Sequence, residues 1–210
     1  RYSIVNWLKR RHGWNADPTT MITTTGIVIA IFNAVRTLTS ENEGVIIQTP
    51  IYYPFYEAIS STKRKVVYNH LVHDENGYYS IDFEDFEQKC KDPNTKLFLL
   101  CSPHNPSGRV WSETELRRMA DICFENNVFI VSDEIHSDIL RAGKVHIPIA
   151  KLYPNEKQLI VCTSPSKTFN LAGNELANVF ILYRDLWNRW ENEGCSQQPN
   201  PLSMEALKAA

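Results

Sequence analysis

The segment Val128-Phe129-Ile130-Val131-Ser132-Asp133-Glu134-Ile135-His136-Ser137-Asp138 joins a continuous apolar run to carboxylates and a histidine. An apolar run of this length is typical of a strand buried on both faces, as in a parallel sheet. Polar groups that directly follow such a strand lie at the edge where open α/β sheets bind ligands. The segment therefore predicts a parallel sheet with a site at its carboxyl edge. The alternative is that Asp133 simply caps a helix.

The rest of the chain alternates between strand-like and helix-like patterns. Further apolar runs cover residues 44–48, 65–68, 96–101, 159–162 and 179–182. Helical patterns cover residues 2–12, 27–38, 82–90, 112–126 and 203–210, and the fourth opens with a capping box at Ser112 and Glu115. This alternation predicts an α/β fold whose mostly parallel sheet carries helices on both faces. Because no repeat or low-complexity linker interrupts the pattern, we expect one domain over residues 1–210.

Composition excludes several classes of function. The 210 residues carry a net charge of -2, so neither nucleic acid nor an anionic membrane is an expected partner. No apolar stretch approaches the roughly 18 residues that a membrane helix needs. The five cysteines include no Cys-x-x-Cys pair, which favours buried, reduced thiols and a cytoplasmic location. No histidine or cysteine cluster has zinc spacing, and no metal is expected.

Other loops that follow predicted strands carry reactive side chains. Tyr52 follows the run 44–48, Asn105 follows 96–101 and Lys167 follows 159–162. An amide, a carboxylate and an amine are thus expected at one edge of one sheet, and a lysine amine removed from water can form a Schiff base with an aldehyde cofactor. Upstream, a small-residue turn at Thr25-Gly26 opens a helix, and the free N–H groups of such a turn suit a phosphate.

Several short segments carry a family resemblance by their order and spacing. They are His12-Gly13-Trp14, Thr25-Gly26-Ile27-Val28, Pro50-Ile51-Tyr52, Asn105-Pro106-Ser107-Gly108, Ser132-Asp133-Glu134-Ile135-His136 and Ser164-Pro165-Ser166-Lys167-Thr168-Phe169-Asn170-Leu171-Ala172-Gly173. Together they resemble the fold-type I pyridoxal-phosphate (PLP) enzymes of the class I/II aminotransferase superfamily. More narrowly, the chain resembles the MalY/PatB-like cystathionine β-lyases, which are C–S lyases, because generic aminotransferases usually have tyrosine at position 136.

The resemblance implies a domain boundary and two central roles. Residues 1–210 are expected to be the PLP-binding large domain, with the family's N-terminal segment and C-terminal small domain lying outside this chain. Lys167 would hold PLP as a Schiff base and then move the substrate α-proton. Its neighbours would have to keep its amine partly neutral, since an ordinary lysine titrates near about 10.4. Asp133 would pair with the pyridine nitrogen.

The remaining cofactor contacts are also implied by the resemblance. Asn105 and His136 would lie at the 3-oxygen of the PLP ring, and Tyr52 would stack on that ring. The expected phosphate contacts are the backbone at Gly26, Ile27 and Val28 and the hydroxyls of Ser164 and Ser166. Many superfamily members carry an arginine for the phosphate soon after the lysine, where this chain has Glu175.

The implied reaction is α,β-elimination on L-cystathionine, L-cysteine or a cysteine S-conjugate, with a thiol, pyruvate and ammonia as products. A homodimer is implied by the resemblance alone. Three alternatives stay open. The first is an aminotransferase of the same fold, and the second is a PLP-binding protein that regulates without catalysis. The third, a nicotinamide dehydrogenase, is disfavoured because no glycine fingerprint follows the first predicted strand.

Overall fold

The apolar runs form the centre of a seven-stranded sheet in a computed structural model that describes residues 1–209. In chain order the strands are β1 (Met21–Thr24), β2 (Gly44–Thr49), β3 (Lys65–His70), β4 (Val72–His73), β5 (Tyr79–Ser80), β6 (Thr95–Cys101), β7 (Phe129–Asp133), β8 (Leu159–Thr163) and β9 (Ala177–Ile181). The sheet order is β1-β9-β8-β7-β6-β2-β3, while β4 and β5 form a separate hairpin. Strands β3, β2, β6, β7 and β8 pair in parallel, and β9 is antiparallel to both of its neighbours.

Helices cover both faces of this sheet. They are α1 (Tyr2–His12), α2 (Ile27–Leu38), α3 (Tyr53–Ser60), α4 (Phe83–Lys91), α5 (Glu113–Glu125), α6 (Ile149–Leu152), α7 (Arg184–Asn192) and α8 (Pro201–Ala209). Successive strand residues point to opposite faces. Phe98 and Ile130 join the core on the side of α1, α4 and α5, whereas Leu97 and Val131 join the core on the side of α2, α3 and α7. The prediction of an α/β fold with helices on both faces is confirmed.

All six predicted strands exist, with small shifts at their ends. Six elements were missed: the strands β1, β4 and β5 and the helices α3, α6 and α7. The four residues of β1 are half polar, and α7 buries only Leu186 and Trp190, so neither pattern is distinctive. The predicted helix of residues 203–210 begins earlier, at Pro201, and its last residue, Ala210, lies outside the described residues.

Three structural observations concern membranes, metals and thiols. None of the helices between residues 1 and 209 has both the length and the apolar character that crossing a bilayer requires. Over the same residues, no three His, Cys, Asp or Glu side chains group closely enough to hold a metal ion. All five cysteines are buried and none forms a disulfide.

Candidate active site

Six strands have their carboxyl ends at one edge of the sheet, here called the carboxyl edge, and five of them lead to predicted site residues. Strand β1 belongs to this set because it is antiparallel to β9, which is itself antiparallel to β8. Along this edge, the loop after β8 carries Lys167, the end of β7 carries Asp133, and the loop after β6 carries Asn105. Gly26 follows β1 and Tyr52 follows β2 at the two ends of the row. The predicted convergence of amine, carboxylate and amide is therefore a consequence of the strand order.

Asp133 is a buried carboxyl without a cationic side chain bonded to it. Its side chain is the last of β7, and its Oδ1 accepts the backbone N–H of Ile135 at 3.0 Å. Burial raises the pKa of Asp133 to about 7 despite that hydrogen bond, and the charge of Glu134 adds to the rise, whereas Lys167 opposes it. A cationic partner would stabilise the ionised carboxylate. The site therefore fits a protonated ring nitrogen.

The structure overturns the helix-capping alternative for Asp133 and shows what the adjacent Glu134 bonds. No helix begins after Asp133, because residues 134–137 form a turn closed by Ser137 N and Glu134 O at 3.0 Å. The helix-capping interpretation of Asp133 is therefore wrong. Of the two adjacent carboxylates, Glu134 does not stay available, since it accepts hydrogen bonds from His146 Nε2 at 2.9 Å and the backbone N–H of Ile149 at 3.0 Å.

The loop after β8 is held in one shape by its own hydroxyls and backbone. Ser164 Oγ lies 2.7 Å from both the carbonyl oxygen of Leu176 and Ser166 Oγ. Because the carbonyl only accepts, Ser164 donates to Leu176 and accepts from Ser166. The N–H of Leu171 donates to Ser166 O at 3.0 Å and closes the turn that contains Lys167.

Lys167 itself is exposed, which corrects the expectation that it is removed from water. The loop lies on the surface of the described chain, and no element covers the end of this long side chain. Its charge nevertheless lowers the pKa of both Asp133 and His136. Lys167 is therefore within electrostatic reach of both Asp133 and His136.

Helix α2 begins at the carboxyl edge with an open first turn. Gly26 precedes it with φ 93°, a conformation that L side chains rarely adopt, and a Cβ at this position would meet nothing within 4 Å. The first turn of α2 contains no acidic residue, and no side chain caps it. The N–H groups of Ile27 and Val28 lie where an anionic group such as a phosphate binds.

Asn105 and His136 line the same cleft, which has a volume of about 270 Å³. Asn105 is half-buried, and its backbone N–H donates to Cys101 Sγ at 3.3 Å. Burial lowers the pKa of His136, and the charge of Lys167 lowers it further, so the imidazole is neutral at neutral pH. A neutral imidazole and a carboxamide can each donate or accept, which suits a phenolic oxygen.

Tyr52 and Glu175 are both exposed at this end of the molecule. Tyr52 is 39% exposed at the N-cap of α3, and its ring lies 5.3 Å from that of Tyr53, edge to face. One side of the ring is thus free to stack on a flat ligand. Glu175 adopts the left-handed conformation with φ 45° and is exposed, so its carboxylate can stay in water.

The sequence did not reveal one further group close to the lysine loop. This group is Asp138, the last residue of the segment 128–138 that contains β7. The sequence of that segment does not identify its partners, which come from α1 and from Thr168. The only available signal was the His12-Gly13-Trp14 segment, because His12 lies 3.0 Å from Asp138.

Titration of Asp133 makes the stability of the ligand-free protein depend on pH. Its folded pKa is about 7, whereas an unfolded aspartate titrates near about 3.9, so the folded state keeps a proton that the unfolded state releases. The bound proton stabilises the folded state by up to roughly 4 kcal/mol. This contribution is complete below about pH 4 and is lost as the pH rises toward about 7. We expect Asp133→Asn to flatten the decline in unfolding free energy, measured by urea denaturation between about pH 5 and about pH 8.

Glu75 is exposed, so Glu75→Gln is the control for the loss of a carboxylate. Its unfolding free energy should depend on pH as that of the wild type does. Parallel profiles for Asp133→Asn and wild type would contradict the raised pKa.

Comparison with known proteins places this geometry in a family. Residues 1–188 match the family described as aminotransferase class I and II. Cystathionine beta-lyase PatB of Bacillus subtilis (strain 168) is 41% identical over 180 residues, which are 85% of this chain and 46% of that protein. Protein MalY of Escherichia coli (strain K12) is 34% identical over 169 residues, which are 80% of this chain and 43% of that protein.

A solved structure agrees with these sequence matches. The PLP-bound C–S lyase of Staphylococcus hominis, complexed with L-cycloserine, superposes with a TM-score of 0.95 at 38% identity, over 100% of this chain and 52% of that one. The predicted fold class, the large-domain fold of PLP-dependent fold-type I enzymes, is thereby confirmed. The chain spans about half the length of the curated relatives it matches. The match over residues 1–188 shows that the chain belongs to the family aminotransferase class I and II.

Proposed function

We propose that residues 1–210 form the large, PLP-binding domain of a carbon–sulfur lyase. The reaction is α,β-elimination on L-cystathionine or another cysteine S-conjugate, and it releases a thiol, pyruvate and ammonia. The observation that carries the proposal is the buried Asp133 on the strand next to the one that leads to Lys167. The names of the Bacillus subtilis relative and of the solved structure described above favour the lyase over other activities of the family.

Asp133, Asn105 and His136 would hold the ring of the cofactor. Bound PLP supplies an electron sink for the carbanion that forms at the substrate α-carbon. Asp133 would preserve that capacity by keeping the ring nitrogen protonated, and such a cationic partner would in turn lower the pKa of the carboxyl. Asn105 and the neutral His136 would bind the 3-oxygen, and Tyr52 would stack on the ring.

The phosphate would be bound between two loops of the carboxyl edge. The N–H groups of Ile27 and Val28, with Gly26 leaving the approach open, come from the start of α2. Ser164 and Ser166 come from the lysine loop, and to donate to the phosphate each hydroxyl would turn from its present acceptor, Leu176 O for Ser164 and Ser164 Oγ for Ser166. Backbone N–H groups at a helix start and hydroxyl donors together form an ordinary phosphate site, so no arginine is needed at position 175.

Lys167 has two roles in this proposal. Its amine would hold the cofactor by condensing with the aldehyde, with release of water, and the same amine, when free, would remove the α-proton of the substrate. A thiolate leaving group on the β-carbon would then allow elimination. The same residues also suit the second candidate, an aminotransferase, which the family description favours.

Two further proposals concern assembly and location. We propose a homodimer, and support comes from Tyr53 and Tyr56, which are 64% and 45% exposed next to Tyr52. A cluster of exposed aromatic rings beside a site is typical of a surface that a second subunit covers.

A cytoplasmic location is supported by the five free thiols.

The two enzymatic candidates differ in their need for an acceptor. We expect the protein, loaded with PLP and given L-cystathionine, to form pyruvate and ammonia in the absence of any 2-oxo acid. The measurement is coupled detection of pyruvate alongside titration of free thiol. Equal amounts of thiol and pyruvate establish elimination. Conversion that requires added 2-oxo acid and yields no thiol would assign the protein to the aminotransferases instead.

A further inference from the structure

The carboxylate of Asp138 joins the lysine loop to α1. Its Oδ2 accepts hydrogen bonds from Trp7 Nε1 at 3.0 Å and from Thr168 Oγ1 at 2.9 Å. Its Oδ1 accepts from Arg11 Nε at 3.2 Å and lies 3.0 Å from His12 Nε2. The last contact is close but not aligned as a hydrogen bond, since His12 Nε2 lacks a hydrogen-bond partner by geometry.

Asp138 is ionised at any pH where the protein would work. Its side chain is only 8% exposed, and burial alone would raise its pKa. The contacts with His12, Thr168 and Trp7 outweigh burial and lower the pKa of Asp138 to about 2. A buried charge with this many donors fixes the direction of each donor, because any displacement would leave the carboxylate unpaired.

Thr168 is the only partner of Asp138 in the lysine loop among residues 1–209. It directly follows Lys167, so anchoring its hydroxyl fixes the backbone that carries the lysine. The adjacent Phe169 packs its ring against Trp7 at 5.0 Å, edge to face, which ties the same turn to α1 a second time. On its other side, the turn is held by Ser164 and Ser166.

Asp138 also links the two strand ends that carry the reactive groups. It lies in the turn after β7, five residues beyond Asp133, and it bonds the turn after β8 that contains Lys167. The relative position of the carboxylate and the amine therefore depends on this one side chain as well as on strand pairing. A displacement of about 1 Å at a reacting group can lower a rate by roughly 100-fold.

We propose that Asp138 is a positioning residue that sets the direction of Lys167 through Thr168 and holds the lysine loop against α1. The inference rests on the proposed function only in its catalytic consequence. Its structural consequence, an ordered loop over residues 164–171, belongs to the protein without cofactor.

The test compares Asp138→Asn and Thr168→Val with Asp121→Asn. Asp121 lies on α5, away from the carboxyl edge. It is a matched control because its Oδ1 also accepts a side-chain hydrogen bond, from Tyr153. In the cofactor-free protein, we expect faster amide hydrogen exchange over residues 164–171 in both test variants and no change there in the control. With cofactor loaded, kcat should fall by about 10-fold to 100-fold in the test variants, with KM little changed.

A double variant makes the test specific to the coupling. Because Asp138 is proposed to act through Thr168, Asp138→Asn and Thr168→Val together should lower kcat no further than Asp138→Asn alone. Fully additive losses would overturn the proposal, as would unchanged exchange over residues 164–171. If Asp138→Asn fails to fold, Thr168→Val alone decides, because it leaves the carboxylate and α1 intact. Absence of pyruvate in the wild type would sink the proposed function but leave the exchange result to judge Asp138.

Discussion

Replacing Lys167 with alanine should remove the visible absorption of the PLP-loaded protein and lower pyruvate formation by about a thousandfold or more. The absorption disappears because no other amine lies in the turn closed by Ser166 and Leu171. The rate falls because the same amine removes the α-proton, and a positioned base contributes about 100-fold to 10,000-fold by itself. Absorbance scans and stopped pyruvate assays on the two proteins give the measurement.

Lys144→Ala is the matched control for this change. Lys144 is an exposed lysine in the loop between β7 and α6, and its removal should alter neither the spectrum nor the rate. A Lys167→Ala protein that keeps both the absorption and the activity would show that another lysine holds the cofactor. A protein that loses activity but keeps a regulatory interaction would support the non-catalytic alternative as a second role.

Replacing Asp133 with asparagine should have two effects of opposite sign. In the loaded enzyme, the amide cannot hold the ring nitrogen in its charged form, and we expect kcat to fall by about 100-fold to 1,000-fold, the usual loss for a preorganised electrostatic partner. In the cofactor-free protein at alkaline pH, the same change removes a buried charge that burial disfavours. The variant should therefore unfold at higher urea than wild type.

The pair of results separates a functional carboxylate from a structural one. Asp133→Glu keeps the charge but moves it, so it should recover part of kcat relative to Asp133→Asn. If Asp133→Asn destabilised the cofactor-free protein at alkaline pH and left kcat unchanged, the carboxylate would be a packing element and the proposed ring contact would be wrong.

The sequence predicted the strands that are buried on both faces of the sheet. Runs such as Leu97–Leu100 and Ile130–Val131 are apolar on both faces because helices cover both sides of the sheet, and this makes the strands recognisable without any partner. Strand β1 was missed because two of its four residues, Thr23 and Thr24, are polar. Thr24 Oγ1 donates to Gly26 O at 3.0 Å, two residues away, whereas Thr23 Oγ1 donates to the distant Gln197 O at 2.9 Å. Their pattern is that of a turn.

The site was predictable to the extent that strand ends determine it. Asp133, Asn105 and Lys167 follow parallel strands, and parallel strands share a carboxyl edge whatever their order. What the chain alone could not reveal depends on tertiary partners. Glu134 is adjacent to Asp133 but bonds His146, and Asp138 bonds a helix that begins at Tyr2. The exposure of Lys167 was likewise unpredictable, because it depends on which elements cover the loop.

The central claim is that Lys167 binds PLP at the carboxyl edge of this sheet. Reduction of the PLP-loaded protein with borohydride makes any lysine–cofactor bond permanent, and peptide mass spectrometry then locates it. The account predicts one pyridoxyl-lysine, on the peptide that contains Ser164-Pro165-Ser166-Lys167-Thr168. A stoichiometric adduct on another lysine, or none on a protein that has folded and been saturated with PLP, would contradict it.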